Sequence, residues 1–241
     1  MQKPPVKEAG RGPLFLLSGY PGNSATLTGM DELQIRSGLE KLSLHFPDKL
    51  SSQLHRYLQM LVKWNKAFNL TAIRSQDDML THHILDSLVV APYLEGPRVL
   101  DVGTGPGFPG LPLAMLMPDL QYFLLDSNSK KTRFVSQVVF ELELKNVEVI
   151  NSRVEDYQPV QTVNTVVSRA FSNLGEFVQK TSRFCQKKGL LIAMKGRYPT
   201  DELKAIDPDL DIEVKKLQIP GLNEERHLVL VRVKGEETVN G

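Results

Sequence analysis

Apolar residues in the first third of the chain recur with a helical period. Between positions 50 and 68, the three- and four-residue steps are occupied by Leu50, Leu54, Tyr57, Leu58, Leu61, Trp64 and Phe68. This spacing predicts an amphipathic helix, and Asp48 is a candidate cap for its first turn. The helical pattern extends over about residues 31–95, with a second helical stretch predicted over 79–94.

Two adjacent histidines, His82 and His83, lie within the second predicted helix. Paired histidines suggest a metal site, but no carboxylate or cysteine stands at a recognisable ligand spacing around them. We therefore favour a simpler interpretation, in which one imidazole faces solvent and the other faces the core. We predict no metal site.

From residue 98 onward, short apolar runs alternate with helical patterns. Strands are predicted over 98–102, 122–125, 147–150, 165–168 and 189–194, and helices over 111–117, 132–144 and 174–184. Strands separated by helices of this length form parallel βαβ units with right-handed crossovers.

The last part of the chain follows a different pattern. Strands are predicted over 211–219 and 227–233, joined by a Pro-Gly-Leu-Asn turn at 220–223 with no helix between them, which indicates a closing hairpin. The whole pattern predicts an α/β fold: a mostly parallel seven-stranded sheet with a terminal antiparallel hairpin, preceded by a small helical region.

The composition of the chain excludes a disulfide and suggests how the chain is divided into regions. The chain has 241 residues, of which 41% are hydrophobic and 24% charged, and its only cysteine, Cys185, excludes an internal disulfide. Residues 1–29 contain four prolines and five glycines without any period, so we expect a disordered extension. We expect residues 30–95 to form a helical region and 96–241 the main α/β domain, the two packing as one compact unit.

The strongest local signal is a glycine-rich turn, DVGTGPGFPG, at residues 101–110, which follows a predicted strand and opens a helix. A P-loop requires Gly-Lys-Ser/Thr at its end, and the chain has Gly-Phe-Pro-Gly. A dinucleotide fingerprint requires glycine at the sixth position, where Phe108 stands. The remaining form, Asp-x-Gly-x-Gly-x-Gly, is typical of S-adenosylmethionine binding and makes Gly103 and Gly105 candidate cofactor contacts. The predicted fold class is then a Rossmann-like class I methyltransferase.

Polar residues follow the next three strands at the same sheet edge. Asp126 ends the second strand, where a carboxylate can accept hydrogen bonds from ribose hydroxyls; the alternative is a cap for the next helix. Val154 and Glu155 follow the third strand, where an adenine would lie, or else belong to a solvated surface loop. Arg169 follows the fourth strand and would face the reacting methyl group. The alternative for Arg169 is a structural tie to a neighbouring acid.

Basic residues are concentrated at this edge although the net charge of the chain is only +1. A positive rim around an active site favours a polyanionic substrate, whereas the alternative is scattered loop lysines. The candidate RNA-binding residues are Lys130, Lys131, Arg133, Lys195 and Arg197.

Missing motifs narrow the chemistry. No Asn/Asp-Pro-Pro-Tyr/Phe signature of exocyclic amine methylation follows the fourth strand, and Cys185, predicted to lie within a helix, has no Pro-Cys context for attack on a pyrimidine. No pair of residues has the pattern of a catalytic base and its orienting partner. These observations favour a nucleophile that needs no deprotonation, and guanine N7 has a free lone pair at neutral pH.

Several motifs together resemble those of the RsmG family, also called glucose-inhibited division protein B, over about residues 31–234. The similar segments are KWNKAFNLT at 63–71, HHILDS at 82–87, the glycine turn, LDS at 125–127, SRVE at 152–155, SRAF at 168–171 and ERHL at 225–228. The resemblance implies S-adenosylmethionine-dependent methylation of N7 of one guanine in bacterial 16S ribosomal RNA. It also implies that the cofactor contacts are Gly103, Phe108, Val154, Glu155 and Arg169. From its position at the end of the fourth strand, we predict that Arg169 organises the methyl-transfer site.

The expected partner is 16S ribosomal RNA or the small ribosomal subunit, with a monomeric, cytoplasmic enzyme and no membrane association. Three alternatives stay open: a methyltransferase acting on another RNA or a small molecule, an NAD-dependent oxidoreductase, and a non-catalytic RNA-binding assembly factor.

Overall fold

The computed structural model describes residues 30–169, 171 and 173–233. The predicted extension over 1–29 lies outside the described residues. Within them, no helix is long and apolar enough to cross a membrane.

The N-terminal region is helical, as the apolar period predicts. Its helices are α1 (Glu32–Glu40), α2 (Leu50–Phe68), α3 (Gln76–Met79), a π-helical turn (Leu80–Leu85), α4 (Asp86–Leu88) and a 3₁₀ turn (Ala91–Tyr93). Asp31 caps α1 through a capping box with Gln34. The prediction that Asp48 caps α2 is wrong. Lys49 occupies the cap position with helical backbone angles, and no side chain caps that end, because Asp48 lies one residue too early to reach it.

The second half forms one seven-stranded sheet in the order β3-β2-β1-β4-β5-β7-β6. The strands are β1 (Arg98–Val102), β2 (Gln121–Asp126), β3 (Val147–Asn151), β4 (Val163–Ser168), β5 (Cys185–Lys195), β6 (Asp211–Leu217) and β7 (Arg226–Arg232). The first five are parallel, and β7 pairs antiparallel with both β5 and β6. The predicted parallel sheet with a terminal hairpin is therefore confirmed, although the loop of that hairpin, residues 218–225, is longer than expected.

The helices that follow the strands are α5 (Gly110–Leu116), α6 (Ser129–Glu141), α7 (Leu174–Thr181) and α8 (Thr200–Ala205). The sequence pattern did not indicate α8, because none of its residues is buried and it therefore carries no apolar period.

Cys185 corrects another prediction. Instead of lying within a helix, it is the first residue of β5, because α7 ends at Thr181 and a 3₁₀ turn (Ser182–Phe184) separates the two. The exposed, polar residues that follow it conceal the early start of that strand. The Cys185 thiol is buried, which raises its pKa to about 12, and it lies at the amino end of β5, away from the glycine turn. The prediction that Cys185 is not a nucleophile now rests on its location at the amino end of β5 and not on a helix.

The core lies on both faces of the sheet. On one face, α1 and α2 pack with α5, α6 and the buried side chains of β1 and β2, and the rings of Tyr57 and Phe134 stack at 6.1 Å between centroids. On the other face, Phe177 and Phe184 lie among the second cluster of buried residues. The N-terminal helices therefore share their core with the sheet instead of forming a separate one.

Candidate active site

The glycine-rich turn connects β1 to α5 at the carboxyl edge of the sheet, beside the point where strand order reverses between β1 and β4. Ligands bind at such switch points in open α/β sheets. Gly103 and Gly105 have φ angles of 73° and 60°, which favour glycine. A Cβ at Gly105 would meet nothing within 4 Å, so this part of the turn borders open space. A Cβ at Gly107 would collide with the Leu111 side chain. Gly105 is therefore open on the side where a Cβ would lie, whereas Gly107 is required by packing.

Asp101 holds the turn from beneath. Its carboxylate is fully buried, and Oδ2 accepts hydrogen bonds from the Thr104 hydroxyl at 2.7 Å and the Gly110 amide at 2.9 Å. Burial raises the pKa of Asp101 to about 7 against the opposing effect of these two hydrogen bonds. Asp101 is the first residue of the sequence motif, which by itself indicates no role for it. The structure gives it one, which is to fix the shape of the turn.

Asp126 contacts the same turn from β2. Its Oδ2 accepts a hydrogen bond from the Gly105 amide at 2.8 Å, and its Oδ1 accepts one from the Asn128 amide at 2.8 Å. The cap of α6 is Asn128, whose side chain accepts from the Lys130 amide. Asp126 is therefore not the cap of α6. Its carboxylate is partly exposed and remains available to a ligand.

A cavity of about 200 Å³ opens above these groups at the ends of β1, β2 and β3. It brings together four of the predicted cofactor contacts with one aromatic side chain that was not predicted: Gly103, Asp126, Val154, Glu155 and Phe171. Glu155 is half exposed and pairs with Lys180 at 2.8 Å, which lowers its pKa. The cavity has the polar and apolar walls that a nucleoside requires.

Phe108 and Arg169 lie deeper, next to the N-terminal helices. The Phe108 ring is buried between two groups: the His83 imidazole stacks on it at 4.4 Å and the Arg169 guanidinium lies 5.2 Å from its centroid. His83 is buried and His82 partly exposed, in keeping with our interpretation of the pair. Desolvation lowers the pKa of His83 to about 3, so this imidazole is neutral at pH 7.

Arg169 and Asp86 form the second polar centre of the site. Arg169 Nη1 donates to the His82 carbonyl at 3.1 Å and lies 3.3 Å from Asp86 Oδ2. Asp86 Oδ1 accepts from Arg226 Nε at 3.1 Å. Asp86 and Arg226 were not among the predicted site residues, because 140 positions separate them in the chain. Their presence in the family-like HHILDS and ERHL segments was the only signal in the sequence.

The candidate RNA-binding residues differ in their exposure. Lys130, Arg133 and Arg197 are exposed, and Lys131 is partly buried. The Lys195 side chain is only 9% exposed, and its ammonium group lies 2.8 Å from the Glu202 carboxylate of α8. The charge of Lys195 is therefore neutralised within the protein, which leaves four candidates for contact with solvent-exposed phosphates.

Comparison with known proteins agrees with this geometry. The fold is similar to that of the O-methyltransferase TomG from Streptomyces achromogenes, solved in complex with SAM, with a TM-score of 0.54, 14% identity and coverage of 86% of this chain and all of that one. A putative O-methyltransferase from Klebsiella pneumoniae has the same TM-score at 14% identity, covering 82% of this chain and 94% of the other. The sheet order and the glycine turn define a Rossmann-like class I methyltransferase.

Sequence comparison identifies the family. The family model GidB, described as rRNA small subunit methyltransferase G, matches residues 50–229. Proteins called ribosomal RNA small subunit methyltransferase G from Chromobacterium violaceum and Escherichia coli are 48% and 44% identical, covering 81% and 83% of this chain and 95% and 97% of their own lengths. A Legionella pneumophila relative of that name is 45% identical over 86% of this chain and all of its own. The chain belongs to the rRNA small subunit methyltransferase G family.

Proposed function

We propose that this chain transfers the methyl group of S-adenosylmethionine to N7 of one guanine in 16S ribosomal RNA. It is an S-adenosylmethionine-dependent rRNA methyltransferase by fold class and family. The observation that carries the assignment is the cavity in which Gly103, Asp126 and the Val154–Glu155 pair meet at the ends of three parallel strands.

The residues around that cavity fit the cofactor. The open side of Gly105 admits close approach to the backbone, and the free lone pairs of the Asp126 carboxylate can accept hydrogen bonds from ribose hydroxyls. Val154 and Glu155 border the position of the adenine. When bound, S-adenosylmethionine supplies a methyl group made electrophilic by the adjacent sulfonium.

The proposed reaction needs no general base. The N7 lone pair of guanine forms the new N–C bond while the electron pair of the C–S bond goes to sulfur, and no proton leaves N7. The groups near the turn have other roles: Thr104 and Gly110 donate to Asp101, two arginines pair with Asp86, and a pKa of about 3 makes His83 a weak base. The protein then contributes alignment and exclusion of water, and proximity supplies roughly 7–11 kcal/mol of barrier reduction.

Arg169 has two candidate roles, to hold the cofactor carboxylate or to donate to guanine O6, and the family resemblance favours the first. Its planar guanidinium suits either partner. The contacts of Arg169 with Asp86 and the His82 carbonyl hold its side chain at the inner end of the site.

The exposed cations at the same sheet edge support an RNA substrate. We assign phosphate contacts to Lys130, Lys131, Arg133 and Arg197, and we place the monomeric enzyme in the cytoplasm with ribosomal RNA or the small subunit as its partner.

The test compares ribosomal RNA from a deletion strain with wild type by mass mapping. We expect one guanosine of 16S rRNA to lose a single methyl group and the purified protein to restore it. RNA with 7-deazaguanine at that position should accept no methyl group. Methylation of the 7-deaza RNA would exclude N7 chemistry, and an unchanged 16S rRNA mass map would exclude the substrate.

A further inference from the structure

A second cavity lies at the carboxyl edge of the sheet, between the N-terminal helices and the terminal hairpin. Its volume is about 300 Å³, at the small end of the range for ligand sites. It is formed by the π-helical turn, the start of α4, the end of β5 and the facing ends of β6 and β7. Arg169, next to the methyl-transfer site, also lines it.

The walls of this cavity divide into apolar and polar groups. The apolar side chains come from four different segments of the chain, namely Ile73, Met194, Leu217 and Leu228. The polar side chains in the lining are those of His82, Asp86, Arg169, Lys195, Arg226 and His227. A flat, partly polar ring between apolar walls is the ligand that such a lining favours, and enzymes that modify a base extrude it into pockets of this kind.

The polar groups here have a specific pattern. The Asp86 carboxylate is 97% buried, and its two oxygens lie 3.3 Å from Arg169 Nη1 and 3.1 Å from Arg226 Nε. His227 is 4% exposed, and its Nδ1 is buried without a hydrogen-bond partner among the described residues. A buried ring nitrogen without a partner is costly unless a ligand satisfies it.

We propose that this cavity, called here the base pocket, receives the target guanine, with Asp86 accepting from N1–H and N2–H₂ and His227 Nδ1 donating to O6. The inference rests on the proposed function. Adenine offers a donor where guanine offers O6 and has no N2 amine, so the same groups would select against it. The Watson–Crick edge then points into the pocket, and the adjacent Hoogsteen edge, which carries N7, is left toward the methyl donor.

Gly196 allows this proposal to be tested by filling the pocket. It lines the cavity, its backbone is not in the left-handed region, and an added Cβ would meet only Arg226 Nη1, at 3.9 Å. Gly196→Val therefore adds a side chain to the wall of the pocket, at a position where its Cβ has room. The control is Gln121→Val, which places the same branched side chain at an exposed position on the opposite sheet edge.

We expect Gly196→Val to lower kcat/KM for methylation of 16S rRNA by at least about 100-fold, the loss typical of a misplaced reactant. S-adenosylmethionine affinity by calorimetry and the melting temperature should stay at wild-type values, as should all three properties of Gln121→Val. Near-wild-type methylation by Gly196→Val would overturn the base pocket. If the wild-type enzyme itself does not methylate guanine N7, the proposed function fails instead.

A second measurement tests Asp86 through the substrate. Inosine at the target position lacks the N2 amine, and wild-type kcat/KM should fall about tenfold, the equivalent of one hydrogen bond. In Asp86→Leu, which has no acceptor, the penalty for inosine should disappear, whereas an undiminished penalty would remove Asp86 from base recognition. Because Asp86→Leu leaves two partly buried arginines without their acid and can fail to fold, Gly196→Val decides the proposal in that case.

Discussion

The Tyr57 hydroxyl, in the middle of α2, donates a 2.7 Å hydrogen bond to the carbonyl of Pro106 in the glycine turn, 49 residues away. Both groups are buried, and the Tyr57 ring also contacts Phe108 at 5.4 Å between centroids. The N-terminal helices thus support the candidate cofactor site directly.

Tyr57→Phe should lower the free energy of unfolding by about 1–3 kcal/mol, because it leaves a buried carbonyl unsatisfied. We also expect weaker S-adenosylmethionine binding, since the turn loses a support. Urea unfolding and calorimetry measure the two effects. Tyr122→Phe is the control: its buried hydroxyl has no hydrogen-bond partner among the described residues, so its removal should cost nothing. Equal losses in both variants would contradict a role for the Tyr57–Pro106 bond.

Asp126→Ala should weaken S-adenosylmethionine binding while the fold persists. The variant removes the acceptor for ribose hydroxyls and the hydrogen bond to the Gly105 amide, a loss on the order of 1–3 kcal/mol of binding free energy. Calorimetry with the exposed Asp156→Ala as control measures the difference. An affinity equal to that of the control would remove Asp126 from the site.

His83 should make the stability of the protein depend on pH. Its pKa is about 3 in the folded protein against an ordinary value of 6.5 for histidine, so between these values the unfolded chain binds a proton that the native protein does not. Stability from this group is complete above pH 6.5 and decreases toward pH 3 with a slope of about 1.4 kcal/mol per pH unit.

His83→Gln keeps a hydrogen-bonding side chain beside Thr71 but cannot titrate. Unfolding free energies measured from pH 7 to pH 4 should therefore fall less steeply in this variant than in wild type. His45→Gln, at an exposed position, should follow the wild-type curve. Parallel curves for wild type and His83→Gln would show that the imidazole is not held neutral.

Arg169→Lys should lose methylation without losing stability. Lysine can still pair with Asp86, but it lacks the planar fork that binds a carboxylate or O6, so we expect kcat/KM to fall by about ten- to a hundredfold. Arg36→Lys, in an exposed pair with Glu40, is the control for the substitution itself. Near-wild-type turnover would show that Arg169 has a structural role only, through its contacts with Asp86 and the His82 carbonyl.

Arg197→Gln should reduce the salt dependence of RNA binding by about 0.7–0.9 units of log–log slope, the contribution of one phosphate contact. Lys145→Gln, exposed at the opposite sheet edge, should leave the slope unchanged. Lys195→Gln should act differently, because it breaks the pair with Glu202: we expect lower stability and little change in slope. An unaltered slope in Arg197→Gln would place that residue outside the RNA interface.

The local patterns of the chain were sufficient for much of this description. Local periodicity and the positions of glycines are enough to predict the strands and helices, the parallel order, the closing hairpin and the turn at residues 101–110. These features depend on residues that are close together in the chain. Two predictions from local sequence were wrong. Asp48 is a residue type that often caps helices, but it does not occupy the cap position of α2. Cys185 begins a strand, which the polar residues after it conceal.

The sequence by itself determined the fold class, the family resemblance and the set of polar groups at the carboxyl edge, because strand ends in a parallel sheet share one edge wherever the helices lie. Only the tertiary structure decided which of those groups face a ligand. Lys195 is neutralised by a helix that has no apolar pattern, and Asp86 meets Arg169 and Arg226 across 83 and 140 positions. Packing selects such partners, because an unpaired buried charge is energetically costly. The partner can come from any part of the chain, so no local pattern specifies it.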